Sequence, residues 1–305
     1  MHPKLRERAA LVALLQQPRA RWHEVALDVL DAESAIDVLE HRLGMQDTLF
    51  PEVQAVESAI EAAARQLAEW ADAGIGVHAF FDRDYPAQLR DIHEMPPVLF
   101  TRGALHDDPR AIAVVGTRQA TAQGLKIATV VASALARDGI TVVSGLAKGI
   151  DTAAHQAALS EGGRTVAVIG TGINRAYPRE NAELQETIAR KGLLISQFWP
   201  DSPPTKQSFP MRNAVMSGYS AATVVVEAPA RSGARIQARL ALAHGRPVIM
   251  PRELLVNDWA REYAERPGVH IVHGVDEILR VTNDVIAELN TGPDALPEAP
   301  NLAWA

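Results

Sequence analysis

Residues 141–170 read TVVSGLAKGIDTAAHQAALSEGGRTVAVIG, and this stretch decides the fold class. It begins with the apolar run TVV and ends with the apolar run TVAVI, and an alanine-rich segment of helical character lies between them. Short β-branched runs that alternate with helices are typical of parallel strands that are buried on both faces. The stretch therefore predicts one strand–helix–strand unit of a parallel sheet.

The same alternation extends in both directions along the chain, from residue 111 to about residue 290. The predicted strands are AIAVV (111–115), TVV (141–143), TVAVI (165–169), LLIS (193–196), ATVVVEA (222–228), PVIM (247–250) and VHIV (269–272). Helical segments separate these runs, and the last helix is predicted over residues 275–290. The pattern predicts an α/β fold with a Rossmann-like, doubly wound, mostly parallel sheet.

The rest of the chain divides by composition. Residues 1–74 are rich in Ala, Leu, Glu and Arg with helical periodicity, which predicts a small N-terminal helical domain. The pairs Tyr85-Pro86 and Pro96-Pro97 favour extended or turn backbone in residues 75–105, which we interpret as a connecting segment. Residues 106–290 then form the Rossmann-like domain, and the Gly, Pro and Ala content of residues 291–305 predicts a flexible tail.

Composition excludes several classes of function. The chain has no cysteine, so it has no disulfide, thiolate zinc site or cysteine nucleophile. Its 10 histidines form no His-Glu-x-x-His or similar pair, and we expect no metal site and no cofactor. We also expect a cytoplasmic protein, because neither a signal peptide nor an apolar run of the ~20 residues that span a membrane is present. The net charge of −7 argues against a uniformly basic surface but permits a local basic groove.

Glycine lies beside a cation in the turns that follow the first two predicted strands. The first turn is Gly116-Thr117-Arg118, and the second runs from Ser144-Gly145 to Lys148 and enters a helix. Glycine lets the backbone approach a ligand closely, and a helix N-terminus offers unpaired N–H groups to an anion. Either turn alone is equally well explained as a tight strand-to-helix connection, but two adjacent basic turns favour a phosphate site.

Further cations fall in segments that a parallel sheet places at the same rim. The set comprises Arg118, Lys148, Arg175, Arg179, Lys206, Arg212, Arg231 and Arg235. A phosphodiester ligand would explain this placement, and Phe209 or Tyr177 could stack on a base, as aromatic residues of single-strand binders do. The alternative for Phe209 is packing in the core. Asp151 and His155 have the spacing of an acid/base pair, but we favour a helix-capping role for the carboxylate.

Five motifs, in order, resemble the DprA/Smf family of bacterial DNA-processing proteins. They are VVGTR, SGLAKGIDTAAHQAAL, TVAVIGTGINRAYPREN, FPMRNAVMSGYS and VVVEAPARSG, and the upstream segment YPAQLRDIHEMPPVLFTRG is similar to the family as well. The resemblance covers roughly residues 85–251. It departs from the family at SGARIQA, where SGSLITA is usual, and after Pro251, where RELLVNDWAREYAERPGVHIVHG replaces a glycine-rich continuation. The first departure predicts an altered pocket.

The resemblance implies an extended Rossmann fold and a non-enzymatic homodimer that binds single-stranded DNA, protects it and helps to load RecA recombinase in natural transformation or recombination. It makes Arg118, Lys148, Arg212 and Asn213 the leading candidates for contacts with the DNA backbone. The full set of expected DNA-binding residues is Gly116, Thr117, Arg118, Ser144, Gly145, Lys148, Arg175, Lys206, Phe209, Arg212, Asn213, Ser232, Gly233 and Arg235. No residue is expected to be catalytic.

A nucleotide-sensing or nucleotide-hydrolysing protein on the same fold is the alternative function. Phosphoribohydrolases that activate cytokinins carry Pro-Gly-Gly-x-Gly-Thr-x-x-Glu after a strand, whereas the comparable place here reads EAPARSGARIQA, which disfavours hydrolysis. A sensor stays open, because a crevice that accepts one nucleotide of DNA could accept a free nucleotide. A purely structural interaction protein would not explain the basic glycine turns, although it could describe the N-terminal domain.

Overall fold

The computed structural model describes residues 1–44 and 53–291. Contacts among the described residues divide the chain into two compact units. Among the described residues, the first unit contains Met1–Ala87 and Met95–Leu99, and the second contains Gln88–Glu94 and residues 100–291. The expected flexible tail, residues 291–305, lies outside the described residues apart from residue 291.

The first unit is built from helices. They are α1 (Pro3–Leu15), α2 (Trp22–Ala32), α3 (Ala35–Gly44) and α4 (Val53–Asp72), and strand β1 (Gly76–Ala79) follows. Leu11 and Leu14 of α1 and Ile60 of α4 are fully buried and form part of the core. The buried Glu7 carboxylate accepts hydrogen bonds from the Ala35 N–H (2.7 Å) and the Ser34 hydroxyl (3.0 Å) and thereby caps α3.

The second unit alternates strands and helices. Its elements are β2 (Val98–Gly103, whose first two residues are counted with the first unit), β3 (Ala111–Val115), α5 (Ala122–Arg137), β4 (Thr141–Ser144), α6 (Ile150–Ser160), β5 (Thr165–Val168), α7 (Ala182–Lys191), β6 (Leu193–Ser196), α8 (Ser208–Tyr219), β7 (Ala222–Val225), α9 (Gly233–Ala243), β8 (Val248–Pro251), α10 (Asp258–Ala264), β9 (Val269–Val272) and α11 (Val275–Thr291). Short 3₁₀ turns lie at Ala87–Leu89, Arg179–Asn181 and Arg252–Val256.

The sheet has the strand order β1-β2-β6-β5-β4-β3-β7-β8-β9. Strands β3 to β9 pair in parallel, whereas β2 pairs antiparallel with β6. From β3 the chain builds outward through β4, β5 and β6, and it then returns to place β7 on the other side of β3. The Rossmann-like α/β fold predicted from the sequence is confirmed, and its strand order reverses between β3 and β7, where such sheets bind ligands.

The sheet is covered on its faces by apolar helices. All five residues of β3 are buried, as are all four residues of β4, β5, β6, β7 and β8. On one face, a core cluster joins Ile112 and Val142 to Leu135 of α5, Ala154 of α6 and Ile278 of α11. Continuous burial explains why these strands are uninterrupted apolar runs rather than alternating ones. Among the described residues, no helix combines the length and the apolar character that crossing a membrane requires.

Strands β4, β5 and β8 differ by one residue at one or both ends from the predicted runs, and two larger differences concern β7 and the segment 75–105. Strand β7 ends at Val225, three residues before the end of its apolar run, although the Val226 N–H still donates to the Val115 carbonyl (2.9 Å). The segment 75–105 contains β1, a 3₁₀ turn and β2. β2 pairs with β6, with Thr101 opposite Ile195, so that part of this segment extends the sheet by an antiparallel strand.

Candidate functional site

A crevice of about 450 Å³ lies outside the carboxyl ends of β3 and β7. Its walls come from four segments: the turn after β3, the connection from β4 into α6, the N-terminal half of α8, and the loop that leads into α9 with the first turns of α9. Arg118, Arg212 and Arg231 line it together with Asn213 and Phe209. The crevice is therefore at the reversal of strand order, and its lining is rich in cations.

The turn after β3 is fixed from two sides. A Cβ atom on Gly116 would lie 2.4 Å from Cγ1 of Ile150 and 2.9 Å from the carbonyl oxygen of Glu227, so only glycine fits there. The Thr117 N–H donates to the Glu227 carbonyl (2.7 Å), and the Thr117 carbonyl accepts from the Ile150 N–H (3.3 Å). These contacts hold the turn between β7 and α6 and place Arg118 at the crevice.

A second, smaller cavity of about 80 Å³ adjoins the crevice. Lys148, Gly145 and Tyr177 line it, and Arg118, Phe209 and Arg212 line both cavities. The guanidinium carbon of Arg118 lies 5.0 Å from the Phe209 ring centroid, and the Tyr177 ring centroid lies 5.6 Å from that of Phe209. Phe209 is half-buried between the cavities rather than packed in the hydrophobic core. Lys148 forms an exposed ion pair with Glu180.

Arg212 is a buried cation at the junction of the two cavities. It is only 5% exposed, and its Nη1 donates to the carbonyl of Val168 (3.0 Å). Its Nε has no hydrogen-bond partner in the described part of the chain. Burial lowers the pKa of Arg212, while the charge of Asp151 raises it and that of Arg118 lowers it. A buried guanidinium with unused donors favours an anionic ligand.

Asp151 and His155 occupy different environments although they lie one helical turn apart. Asp151 lines the crevice, and its carboxylate accepts from the Ala147 N–H (3.3 Å). Burial raises the pKa of Asp151, opposed by the charge of Arg212 and by hydrogen bonds. His155 is fully buried, lines neither cavity, and its Nδ1 lies 2.7 Å from the Thr165 hydroxyl. The two side chains are therefore not arranged as an acid/base pair facing one ligand.

Burial of His155 predicts a pH-dependent stability. Burial, with the nearby charge of Arg212, lowers the pKa of His155 from 6.5 to about 3. Between these values the unfolded chain binds a proton that the folded protein does not, so stability falls as the pH falls. We expect this histidine to cost about 2 kcal/mol in the free energy of unfolding between pH 7.5 and pH 5.

Urea unfolding at pH 5, 6 and 7.5 tests this expectation. His155→Gln should reduce the loss of unfolding free energy between pH 7.5 and pH 5 by about 2 kcal/mol. His106→Gln, at an exposed position, should leave that loss unchanged. An equal decline in wild type and His155→Gln would show that this histidine does not govern the acid sensitivity.

Ten of the expected DNA-binding residues line one or both cavities. They are Gly116, Thr117, Arg118, Gly145, Lys148, Phe209, Arg212, Asn213, Ser232 and Gly233. The other four, Ser144, Arg175, Lys206 and Arg235, line neither. Ser144 is buried at the end of β4, where its hydroxyl donates to the Val114 carbonyl (2.7 Å), and Arg175 Nε donates to the Asp201 carbonyl (3.0 Å). DNA binding by the whole set stays a prediction.

Several lining residues were not expected from the sequence. Gln119, Met216 and Gln237 line the crevice, as do Pro229 and Ala234. Met216 and Gln237 lie three and four residues after Asn213 and Gly233, so helical spacing places them on the same faces as expected site residues. This helical spacing is the sequence signal that could have identified both residues. Among residues 1–44 and 53–291, no three His, Asp or Glu side chains are grouped as metal ligands would be.

Comparisons with known proteins agree with this architecture. The model of the family described as DNA recombination-mediator protein A matches residues 76–290. Protein Smf of Synechocystis is 38% identical over 218 residues, which cover 70% of this chain and 53% of the Synechocystis protein. The chain therefore spans only about half the length of that relative.

Two solved structures show the same fold. DNA processing protein A (DprA) from Streptococcus pneumoniae superposes with a TM-score of 0.69 at 29% identity, covering 92% of this chain and 98% of the other. DNA processing protein A from Helicobacter pylori, whose structure concerns its single-stranded DNA binding mode, gives a TM-score of 0.62 at 26% identity and covers 69% of this chain and 96% of the other. With the family model matching most of the sequence, the chain belongs to the DNA recombination-mediator protein A family.

Proposed function

We propose that this protein binds single-stranded DNA in the crevice and the adjoining cavity, without breaking a covalent bond. The observation that carries the proposal is the convergence of Arg118, Arg212 and Phe209, which line both cavities at the reversal of strand order. We further propose that the protein acts in the cytoplasm as a homodimer, protects the strand and helps to load RecA in DNA uptake or recombination.

The lining suits a strand rather than a duplex. Guanidinium groups bind phosphate oxygens with several N–H donors at once, and Arg212 lines the crevice with a buried Nε–H that has no partner among the described residues. Phe209 and Tyr177 offer ring faces beside those cations, and Tyr177 is 42% exposed. Base stacking on aromatic rings requires unpaired bases and tolerates any sequence. Cations for the backbone and rings for the bases are therefore present side by side.

Removal of two lining cations is expected to reduce affinity for single strands. Arg118→Ala/Lys148→Ala should weaken binding of a labelled single strand by about tenfold or more at low salt. It should also flatten the dependence of log affinity on log salt by about 1.4, because each lost phosphate contact on a single strand removes about 0.7. Fluorescence anisotropy of wild type and variant with single-stranded and duplex DNA, across a salt series, measures both quantities.

A charge-matched variant serves as the control. Arg190→Ala/Lys191→Ala removes two exposed cations at the end of α7, outside both cavities, and should retain nearly the wild-type affinity and salt slope. Equal losses in the two double variants would point to nonspecific attraction by net charge. Undiminished binding by Arg118→Ala/Lys148→Ala would exclude the crevice as the DNA site.

Nucleotide sensing is the second candidate, and the crevice volume favours it specifically. Ligand pockets of roughly 300 to 1,000 Å³ hold small molecules, and the crevice measures about 450 Å³. A sensor would bind a mononucleotide saturably and show the same affinity for oligonucleotides of any length. A strand-binding protein would gain affinity with oligonucleotide length. Titration with dTMP and with oligothymidylates of increasing length separates the two functions.

A further inference from the structure

The side-chain amide of Gln237 in α9 lies against the backbone of the neighbouring helix α8. The side chain is fully buried, and in the amide orientation that pairs donors with acceptors Nε2 donates to the carbonyl of Asn213 (2.9 Å) while Oε1 accepts from the N–H of Ser217 (3.2 Å). In a regular α-helix the carbonyl of residue i accepts from the N–H of residue i+4, so these two groups would normally bond each other. Gln237 therefore bonds both backbone groups that belong to one rung of α8.

A side chain bonded to both groups ties this turn of α8, a continuous helix from Ser208 to Tyr219, to α9. The affected rung begins at Asn213, and the residue before it is Arg212. Both side chains line the crevice. The position of the Arg212 guanidinium thus depends on the position of the turn of α8 that Gln237 contacts.

Other contacts fix α8 to α9 around the same turn. The Asn213 side-chain amide donates to the Gly233 carbonyl (3.3 Å), and Nδ1 of His244 lies 2.7 Å from the Ser217 hydroxyl. Between Gln237 and His244, the helix α9 presents Ala238 and Ala241, which are fully buried. Small side chains let two helices approach closely, so the amide of Gln237 can reach backbone atoms of α8.

We propose that Gln237 is a positioning residue for ligand binding: by bonding the Asn213 carbonyl and the Ser217 N–H, it holds Arg212 and Asn213 in line with the crevice. The inference rests on the proposed function for its binding readout and deepens that function by assigning a residue that acts through the cation rather than on the strand. A side chain that filled the same volume without the amide would leave this turn of α8 without its two hydrogen bonds to Gln237.

Gln237→Met tests the assignment, because methionine keeps the length and volume of the side chain and removes both hydrogen bonds. We expect single-stranded DNA affinity to fall about tenfold and the salt slope to flatten as it does in Arg212→Met. The double variant Gln237→Met/Arg212→Met should bind no more weakly than Arg212→Met alone, since residues that act through one contact are not additive. Ser220→Ala, which removes another buried hydrogen bond of α8, to the Met216 carbonyl, should bind as wild type does.

A crystal structure of Gln237→Met, determined without DNA, tests whether Gln237 positions Arg212. We expect this turn of α8 to shift relative to α9 and the contact between Arg212 Nη1 and the Val168 carbonyl to be broken. An unchanged Arg212 contact in that structure overturns the inference whatever the protein binds. Additive losses in the double variant also overturn it. Failure of the wild type to bind single strands, with Arg212 displaced in the variant structure, would instead refute the proposed function alone.

Discussion

Gly145→Ala is expected to weaken single-stranded DNA binding by about 30- to 100-fold while the protein stays folded, a loss typical of a binding hot spot. A Cβ atom at this position would lie 1.3 Å from Nη1 and 2.2 Å from the guanidinium carbon of Arg212. The methyl group and the guanidinium cannot occupy the same space. Because the conflicting atoms are the end of a long side chain, Arg212 moves rather than the backbone, and the crevice loses its buried cation.

Anisotropy titration of the Gly145→Ala variant, with thermal unfolding as the check on folding, measures this effect. Gly274→Ala is the matched control, because a Cβ atom there meets nothing within 4 Å and the residue lines neither cavity. If Gly145→Ala binds DNA as tightly as Gly274→Ala does, the buried position of Arg212 is not required for binding.

Gly149→Ala is expected to have the largest effect on stability, lowering the free energy of unfolding by about 3 to 5 kcal/mol. Gly149 has φ +77° and ψ −121°, a conformation that residues with a Cβ rarely adopt. The added Cβ would lie 2.4 Å from the Thr117 carbonyl oxygen and 2.9 Å from that of Arg118. Both are backbone atoms of the turn after β3, so relief requires that turn to move away from α6.

Gly162→Ala separates the strain of the backbone conformation from the steric overlap with the turn after β3. Gly162 also has a positive φ, +69°, but a Cβ atom there meets nothing within 4 Å. Its substitution should cost only the conformational strain of about 1 to 2 kcal/mol. Urea unfolding of both variants gives the comparison. Equal losses would mean that the close approach of Gly149 to the turn contributes nothing, and that the turn can shift freely.

The strands and their connections could be predicted from the sequence because each strand is buried on both faces. The runs at 111–115, 193–196 and 269–272 coincide with β3, β6 and β9. β1 and β2 could not be separated from a proline-rich connection by local pattern alone. The antiparallel pairing of β2 with β6 depends on contacts about 100 residues apart in sequence, and such contacts leave no periodic signal in a six-residue segment.

The candidate site was predictable where a glycine turn follows a strand, as at Gly116 and Gly145. The site was less predictable where the direction of a side chain decides whether that residue lines the crevice. Ser144 follows the same motif, but it still belongs to β4 and points its hydroxyl at the neighbouring strand. Conversely, Gln237 lies beyond the glycine motif, and only the packing of α9 on α8 brings it to the crevice. Turn chemistry predicts where a site lies, and helix packing decides which side chains face it.

The position of β7 beside β3 also sets the order in which a growing chain can assemble. Ile112 pairs with Ala222, so β3 leaves the ribosome about 110 residues before the strand that covers one of its edges. At about 5 to 20 residues per second, this wait lasts roughly 5 to 20 s. Meanwhile a wholly apolar strand presents an open edge to other chains, which is a hazard for aggregation. The crevice is lined by residues synthesised before that wait and by residues synthesised after it. The nascent protein therefore becomes able to bind its ligand only late in its synthesis.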